Sequence, residues 1–204
     1  MSDKLFQEYQ EKGYVVIDDF LPEAEANRLN ALYVAQKEWE IIDQTRERHY
    51  QHVFATKSEF LPKGDESYMA RFGRSRDLEK SEVVNEIYTN YFIPELKKYS
   101  QTDLKAFDIR CYNLNQGDFY RAHIDDYAGS IGCVYYLNKK WIWDWGGLLH
   151  VTSFDGDAND INTIFPKFNR AVLLDHKKFK FPHFVSAVSS FAKEPRFSIV
   201  SFNG

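Results

Sequence analysis

The sequence predicts an α+β protein that is mainly β, in which a helical N-terminal half supports a C-terminal β-core. Residues 81–99 carry apolar side chains at helical spacing, whereas short β-type runs follow one another from Leu104 onward. Aromatic residues make up 17% of the chain, which favours sheet because aromatic rings pack well on a pleated surface. A length of 204 residues fits one domain.

The N-terminal half is expected to supply one strand and two helices. Residues 14–20 are an apolar run with β-branched side chains and predict the strand. The run Leu21-Pro22-Glu23-Ala24 predicts a helix start, because proline and acidic residues favour the first turn, and this helix should reach about residue 38. Residues 81–99 predict the second helix. Between them, residues 43–78 are polar, mixed in charge and without a clear period, and a stretch of this length is often functional.

The C-terminal half predicts about eight short strands, most of them separated by turns that carry Asn, Gly, Asp or Pro. The expected strands are 106–113, 118–124, 131–137, 147–153, 161–165, 170–174, 183–188 and 196–202. This number of strands at this spacing indicates a sandwich or a closed barrel.

Composition excludes several classes of protein. A net charge of −4 and a pI of about 5.9 provide no overall basic field for a nucleic-acid backbone. No run of 18 apolar residues exists, so no membrane span is expected. Asp3, Lys4 and Glu8 lie where a secretory signal would have its apolar core, so we expect a cytoplasmic protein. Cys111 and Cys133 lie in strand-like runs and are expected to be free, buried thiols.

Three residues of the β-core have the chemistry of a metal site. His123 and Asp125 are two residues apart, so on an extended strand they face the same side; a surface histidine beside a carboxylate is the alternative. His183, on a different strand, is a candidate third ligand. Two imidazoles and one carboxylate leave three positions open on the metal, as in non-haem Fe(II) sites. A structural zinc site would instead close with four ligands.

A buried cation is expected on the last strand. Arg196 and Ser198 share one face of a strand whose other residues are mostly apolar. A fixed guanidinium in an apolar core needs an anionic partner. A dicarboxylate cosubstrate would provide one, and an internal salt bridge to one of the 30 acidic residues would provide another.

The remaining candidates are weaker. His176 lies near the distal strand and is a rival to His183, but it precedes the solvated pair Lys177-Lys178. His49 and His52 are expected to be surface residues or substrate contacts, and His150 a structural histidine. Asp126 is expected to be a second-layer or surface acid. Trp141, Trp143 and Trp145 are expected to pack in the core or at the rim rather than to line a substrate mouth.

The order of these motifs resembles the prolyl 4-hydroxylase-like Fe(II)/2-oxoglutarate dioxygenases. The similar segments are Tyr112 to Phe119 leading into His123-Ile124-Asp125, Tyr135 to Trp141 followed by Trp145-Gly146-Gly147, Asn169 to Leu174, His183-x-Val185-x-x-Val188, and Arg196-x-Ser198. The resemblance covers residues 104–204 closely and 10–35 loosely, and 40–80 match nothing in the family. It implies a double-stranded β-helix, a jelly-roll or cupin-like barrel open at one mouth. Residues 1–204 would then be one dioxygenase domain, with 1–103 as helical support and variable substrate region and 104–204 as the β-helix core.

The resemblance also implies roles for individual residues. His123, Asp125 and His183 become the iron ligands. Arg196 takes the place of the basic residue that pairs with the far carboxylate of 2-oxoglutarate, with Tyr112 and, less directly, Ser198 assisting. The implied cofactors are Fe(II), 2-oxoglutarate as cosubstrate, and O₂. Because Asp125 is present, the site does not resemble that of a halogenase, in which chloride takes the carboxylate position.

The implied activity is hydroxylation of an aliphatic C–H with release of succinate and CO₂, and a prolyl residue of a protein or peptide is the leading substrate. A free amino acid or small metabolite is the alternative, and residues 43–78 are expected to decide between them. A nucleic-acid demethylase is disfavoured, since Phe202 stands where that class has a second arginine. A non-enzymatic jelly-roll binding module is a further alternative, but it would not need the converging histidines, aspartate and arginine.

Overall fold

Eleven β-strands of one antiparallel sheet carry the fold, with five α-helices and one π-helical turn among the described residues. The computed structural model describes residues 3–44, 70–105, 107–123, 125, 129–152, 161–177 and 182–204. The helices are α1 Asp3–Lys12, α2 Glu23–Ala35, α3 Arg76–Lys80, α4 Glu82–Ile87 and α5 Ile93–Ser100, with the π-helical turn at Tyr88–Phe92. The strands are β1 Tyr14–Ile17, β2 Glu40–Gln44, β3 Ala70–Arg74, β4 Phe107–Leu114, β5 Phe119–His123, β6 Ile131–Tyr136, β7 Leu149–Thr152, β8 Ile161–Ile164, β9 Arg170–Asp175, β10 His183–Val185 and β11 Arg196–Asn203.

The sheet has the topology expected of the β-core. Its strand order is β1-β9-β6-β11-β4-β3-β5-β10-β7-β8, with β2 paired to β3 off this path. Strands distant in sequence are therefore neighbours: β11 lies between β4 and β6, and β10 lies between β5 and β7. This mostly antiparallel arrangement with few helices confirms the predicted double-stranded β-helix core.

The expected strands of the C-terminal half are all present, each within a few residues of its predicted limits. In the N-terminal half, the strand expected over residues 14–20 is present as β1, and two strands that were not expected, β2 and β3, also join the sheet. The strand β3 falls inside the stretch 43–78, whose sequence shows no clear period. Its buried positions Ala70 and Phe72 do alternate with the exposed Arg71, but five residues are too few to set that pattern apart from the polar surroundings.

The helix expected over residues 81–99 is interrupted. The π-helical turn Tyr88–Phe92 separates α4 from α5, and Pro94 lies in the first turn of α5. A proline has no N–H to donate, and its ring would clash with the carbonyl four residues earlier, here that of Asn90. The wider π-helical turn accommodates this, and the side chains of Tyr88 and Phe92 remain buried. An α-helix at Asp3–Lys12 was not expected from the sequence.

The helices pack on one face of the sheet through an aromatic core. Tyr33 of α2, Tyr88, Phe92 and Tyr99 are all buried there, together with Phe197 and Ile199 of β11. Tyr33 also donates a hydrogen bond from its hydroxyl to the carbonyl of Ser198, at 3.1 Å. Full burial of each large apolar side chain is worth about 1.5–3 kcal/mol. The helical half therefore holds β11 in place from behind.

Both cysteines are free and buried, as predicted: Cys111 lies on β4 and Cys133 on β6. No helix of the described residues combines the length and apolar character needed to cross a membrane.

Candidate metal and cosubstrate site

A cavity of about 280 Å³ lies on the other face of β11. Phe197 and Ile199 pack toward the helices, whereas Arg196, Ser198 and Val200 line the cavity. This division follows from the two-residue period of a strand, in which successive side chains point to opposite faces. The cavity also receives side chains from β2, β3, β4, β5, β7 and β10.

The three predicted metal ligands meet in this cavity. His123 ends β5 and His183 begins β10, and the two residues are directly paired across the sheet, with ring centroids 4.3 Å apart. Asp125 follows His123 by two residues, and one ligand atom from each of the three residues lies within 4.8 Å of the other two. The pairing of β5 with β10 thus brings together residues that are 60 positions apart in sequence.

The electrostatics of these residues suit a divalent cation. Burial alone would raise the pKa of Asp125, but the nearby His183 and His123 imidazoles outweigh it and hold this pKa well below its usual range. Burial, together with the neighbouring His183, lowers the pKa of His123. An ionised carboxylate and a neutral imidazole are the forms in which Asp125 and His123 would bind a metal.

The tautomer of His123 is set by its backbone neighbour. Its Nδ1 lies 2.8 Å from the carbonyl oxygen of Arg121, and a carbonyl only accepts hydrogen bonds, so Nδ1 carries the proton and donates it. The Nε2 lone pair is then available to a metal. The chemistry of the donor set therefore fits a divalent metal such as Fe(II), bound by two imidazole nitrogens and one carboxylate.

Arg196 is the buried cation that the sequence predicted, at 2% exposure. Its guanidinium lies 4.8 Å from the ring centre of Tyr136, and its Nη1 donates to the Ser198 hydroxyl at 3.5 Å. Among the described residues no carboxylate pairs with Arg196, and its Nε is buried without a hydrogen-bond partner. The alternative of an internal salt bridge therefore has no partner in this part of the chain, and the guanidinium fits an anion entering the cavity.

A glycine leaves room for this arginine. A Cβ at Gly147 would lie 2.9 Å from Arg196 Cδ, and Gly147 itself adopts a φ of +63° that side chains rarely tolerate. The Gly-Gly pair noted in the sequence thus contributes directly to the arginine pocket.

Tyr112 and Ser198 line the same cavity as Arg196. They are cross-strand partners in the pairing of β4 with β11. The sequence reading missed Tyr136, which pairs with Ser198 from β6 and whose buried hydroxyl has no hydrogen-bond partner among the described residues. The adjacent Tyr135 packs in the helix-side core instead. Two tyrosines in a row give no local signal of which one packs against Arg196.

The other candidates lie in different settings. His176 stands outside the converging ligand atoms, with its Nε2 3.6 Å from Asp125 Oδ2. His150 has its Nδ1 3.0 Å from the Thr163 hydroxyl and stacks on Phe184, as expected of a structural histidine. Trp141 and Trp145 pack edge to face at 5.2 Å, whereas Trp143 is 75% exposed. His49, His52 and Asp126 lie outside the described residues.

The strands β2 and β3 supply cavity residues that sequence reasoning did not find. Ile42, Phe72 and Arg74 line the cavity, and the Phe72 ring lies 4.6 Å from that of Tyr112. The Arg74 guanidinium is held by Glu79 through two hydrogen bonds. Part of the stretch 43–78 thus forms a wall of the site.

Comparison with known proteins points to a class for the β-core. Residues 108–202 match the family model of the 2OG-Fe(II) oxygenase superfamily. Enzymes of this superfamily use Fe(II), 2-oxoglutarate and O₂. Among curated protein sequences, none is significantly similar to this chain.

Solved structures share the fold over nearly the whole chain. A prolyl-4-hydroxylase from Pseudomonas putida aligns at a TM-score of 0.65 and 18% identity, covering 100% of this chain and 98% of that one. A Trichoplax adhaerens prolyl hydroxylase, in complex with a hypoxia inducible factor peptide fragment, aligns at 0.64 and 15% identity, covering 98% and 86%. HygX from Streptomyces hygroscopicus, with nickel, 2-oxoglutarate and hygromycin B bound, aligns at 0.67 and 11% identity, covering 100% and 87%.

Proposed function

We propose that this protein is an Fe(II)- and 2-oxoglutarate-dependent dioxygenase that hydroxylates an aliphatic C–H, with a prolyl residue of a protein or peptide as the leading substrate. The observation that carries the proposal is the convergence of His123, Asp125 and His183 in one cavity with the guanidinium of Arg196, which pairs with no carboxylate among the described residues. A binding module without catalysis would have no need of this combination. The match of residues 108–202 to the 2OG-Fe(II) oxygenase superfamily model supports the same assignment.

Within this proposal each residue has a defined task. His123, Asp125 and His183 hold Fe(II) and leave three positions for other ligands. Iron, 2-oxoglutarate and O₂ supply the oxidising power for the hydroxylation, with succinate and CO₂ as co-products. Arg196 pairs with the far carboxylate of 2-oxoglutarate, and the hydroxyl groups of Tyr112, Tyr136 and Ser198 complete its polar surroundings. The apolar side chains of Phe72, Leu149 and Val185 exclude water from the remaining cavity wall.

The substrate class rests on the similar structures. Two of them are prolyl hydroxylases, one in complex with a peptide fragment, which supports a peptidyl proline. HygX holds hygromycin B, so a small molecule is the second candidate, in keeping with the metabolite alternative raised from the sequence.

The decisive experiment separates cosubstrate chemistry from substrate choice. Fe(II) and 2-oxoglutarate are first titrated into the protein without oxygen, and the visible absorption of the ternary complex is recorded. With oxygen, proline-containing peptides and a matched panel of free amino acids and small metabolites are then assayed for succinate and for a mass gain of one oxygen atom. We expect binding of both ligands and hydroxylation of a peptide; absence of 2-oxoglutarate binding would overturn the dioxygenase assignment. Binding followed by hydroxylation of small molecules alone would overturn the prolyl assignment only.

A further inference from the structure

His176 is a buried polar group to which the proposed chemistry assigns no task. It follows β9 and is only 7% exposed, and both of its ring nitrogens are buried without a hydrogen-bond partner among the described residues. Burying an imidazole without a hydrogen-bond partner is unfavourable. We therefore expect this imidazole to gain a partner when the metal site is occupied.

Residues of two neighbouring strands hold the His176 ring in one position. A Cβ at Gly132 of β6 would lie 2.4 Å from His176 Cε1 and 2.7 Å from Nε2, so any side chain larger than hydrogen would displace the imidazole. On β11, the Phe202 ring stacks on the imidazole at 5.8 Å between centroids. The backbone N–H of His176 donates to the carbonyl of Ser130 at 3.2 Å. Two strands and a backbone hydrogen bond therefore fix the direction in which the ring points.

The ring points at the carboxylate of the metal site. Its Nε2 lies 3.6 Å from Asp125 Oδ2, slightly beyond a normal hydrogen bond. The Nε2 atoms of His123 and His183 lie 3.5 and 3.4 Å from the same carboxylate. If those two nitrogens hold the metal, their lone pairs face it and they have no Nε2 proton to donate. Among the described residues around Asp125, His176 is then the imidazole left to act as a donor.

We propose that His176 is a positioning residue: it donates its Nε2–H to Asp125 Oδ2 and keeps the carboxylate on the metal through its other oxygen. The inference rests on the proposed metal site. A carboxylate that bound through both oxygens would occupy one more position on the metal, at the expense of the positions that the cosubstrate and O₂ require. Partners that orient metal ligands in this way typically change metal affinity or activity 10–100-fold when they are lost.

The test measures metal binding and spectra rather than turnover alone. Co(II) is titrated into the metal-free protein, and the visible spectrum of the Co(II) form is recorded with and without 2-oxoglutarate. His176→Phe keeps a planar ring against Phe202 but removes the donor, and His176→Gln restores an N–H. Gly132→Ala leaves His176 in the chain but displaces its ring. The matched control is His150→Phe, which removes a histidine outside the ligand set.

We expect His176→Phe and Gly132→Ala to weaken Co(II) binding at least about tenfold and to change the Co(II) spectrum, with partial recovery in His176→Gln and no change in the control. Wild-type affinity and spectrum in His176→Phe would overturn the inference, and so would a loss in His176→Gln as large as that in His176→Phe. If circular dichroism shows that His176→Phe does not fold, Gly132→Ala decides: weakened binding supports the inference and wild-type binding overturns it. A wild-type protein that binds neither Co(II) nor 2-oxoglutarate would instead overturn the proposed function.

Discussion

Arg196 shows how a single residue distinguishes this cavity from an ordinary β-barrel interior. A guanidinium is costly to bury unless it is paired, and burial here lowers the pKa of Arg196. Its surroundings are a tyrosine ring, a serine hydroxyl and the space above Gly147, with no described carboxylate. The arrangement is therefore prepared for an anion that arrives from outside.

Replacing this arginine should separate cosubstrate binding from metal binding. A charge-assisted hydrogen bond is worth about 1.5–3 kcal/mol, and leaving a buried carboxylate unpaired brings the loss to roughly 3–5 kcal/mol. Arg196→Ala should thus weaken 2-oxoglutarate binding on the order of a hundredfold or more. Arg196→Lys should restore part of the affinity, because lysine returns the positive charge but not the bidentate hydrogen-bonding geometry of the guanidinium. Calorimetric titration of 2-oxoglutarate into the Fe(II) protein without oxygen measures this. Fe(II) affinity, titrated separately, serves as the control and should barely change; unchanged 2-oxoglutarate affinity would remove Arg196 from the site.

The three proposed ligands should respond alike to removal. His123→Ala, Asp125→Ala and His183→Ala are each expected to abolish turnover and to lower Fe(II) affinity, while circular dichroism shows a retained fold, because two ligands hold the metal weakly. Full turnover in His183→Ala, together with complete loss in His176→Ala, would transfer the third ligand position to His176.

At the level of elements, β11 is the strand that lies between the helices on one side and the cavity on the other. One of its faces packs against the helices, where Tyr88 donates to the Ser201 hydroxyl at 2.7 Å, and its other face forms the arginine side of the cavity. Its neighbours β4 and β6 bring Tyr112 and Tyr136 opposite Ser198. The helices therefore support the site indirectly, by fixing the strand that carries the cosubstrate residues.

An ion pair at the edge of the sheet provides an element-scale prediction. Asp18, just after β1, accepts hydrogen bonds from Arg170 at the start of β9 and from Lys167, and these lower its pKa from 3.8 to about 2. Because the folded-state pKa is depressed, the pair stabilises the fold above about pH 3.8, and its contribution disappears as the pH falls through about 2. Asp18 is partly exposed, so the contribution is at most about 1 kcal/mol.

Urea unfolding of the wild type and of Asp18→Asn across this pH range measures the effect. The difference in free energy of unfolding should be present near neutral pH and shrink steadily below pH 3.8. Asp103→Asn is the matched control, since it removes an exposed pair with Lys97 at 2.8 Å and should change stability little at any pH. A difference that stays constant with pH would mean that the charge of Asp18 is not its source.

For the whole molecule, ligand binding and folding stability should be linked through the cavity. The site is assembled from strands of both halves of the chain, so the ligands bind the folded state and not the unfolded one. A ligand present at a hundred times its Kd stabilises the fold by about 2.7 kcal/mol. For a chain of this length that corresponds to a rise in Tm of roughly 5–10 °C.

Thermal unfolding with Mn(II) alone, and with Mn(II) plus 2-oxoglutarate, tests this linkage. The wild type should gain stability in two steps, whereas Arg196→Ala should keep the first step and lose most of the second. A single step shared by both proteins would show that 2-oxoglutarate does not bind through Arg196.

The sequence by itself determined the nature of the β-core. Strand-length apolar runs with turn residues between them predicted the strands, and the two-residue period put His123 beside Asp125 and Arg196 beside Ser198. These are local properties, which the chain carries whatever lies next to it. Motif order then identified the oxygenase resemblance, and Arg196 emerged as a buried cation because the neighbouring residues of its strand are apolar.

The tertiary structure alone decided which residues meet. His183 pairs with His123 because β10 lies beside β5, and Tyr136 rather than Tyr135 faces Arg196 because β6 is in register with β11. His176 reaches Asp125 only because Gly132, on another strand, leaves it room. Each of these contacts depends on strand order and register across the sheet, and such pairings link positions far apart in the chain. No local pattern of residue types predicts these contacts. The separate motifs therefore become one site only when the chain folds.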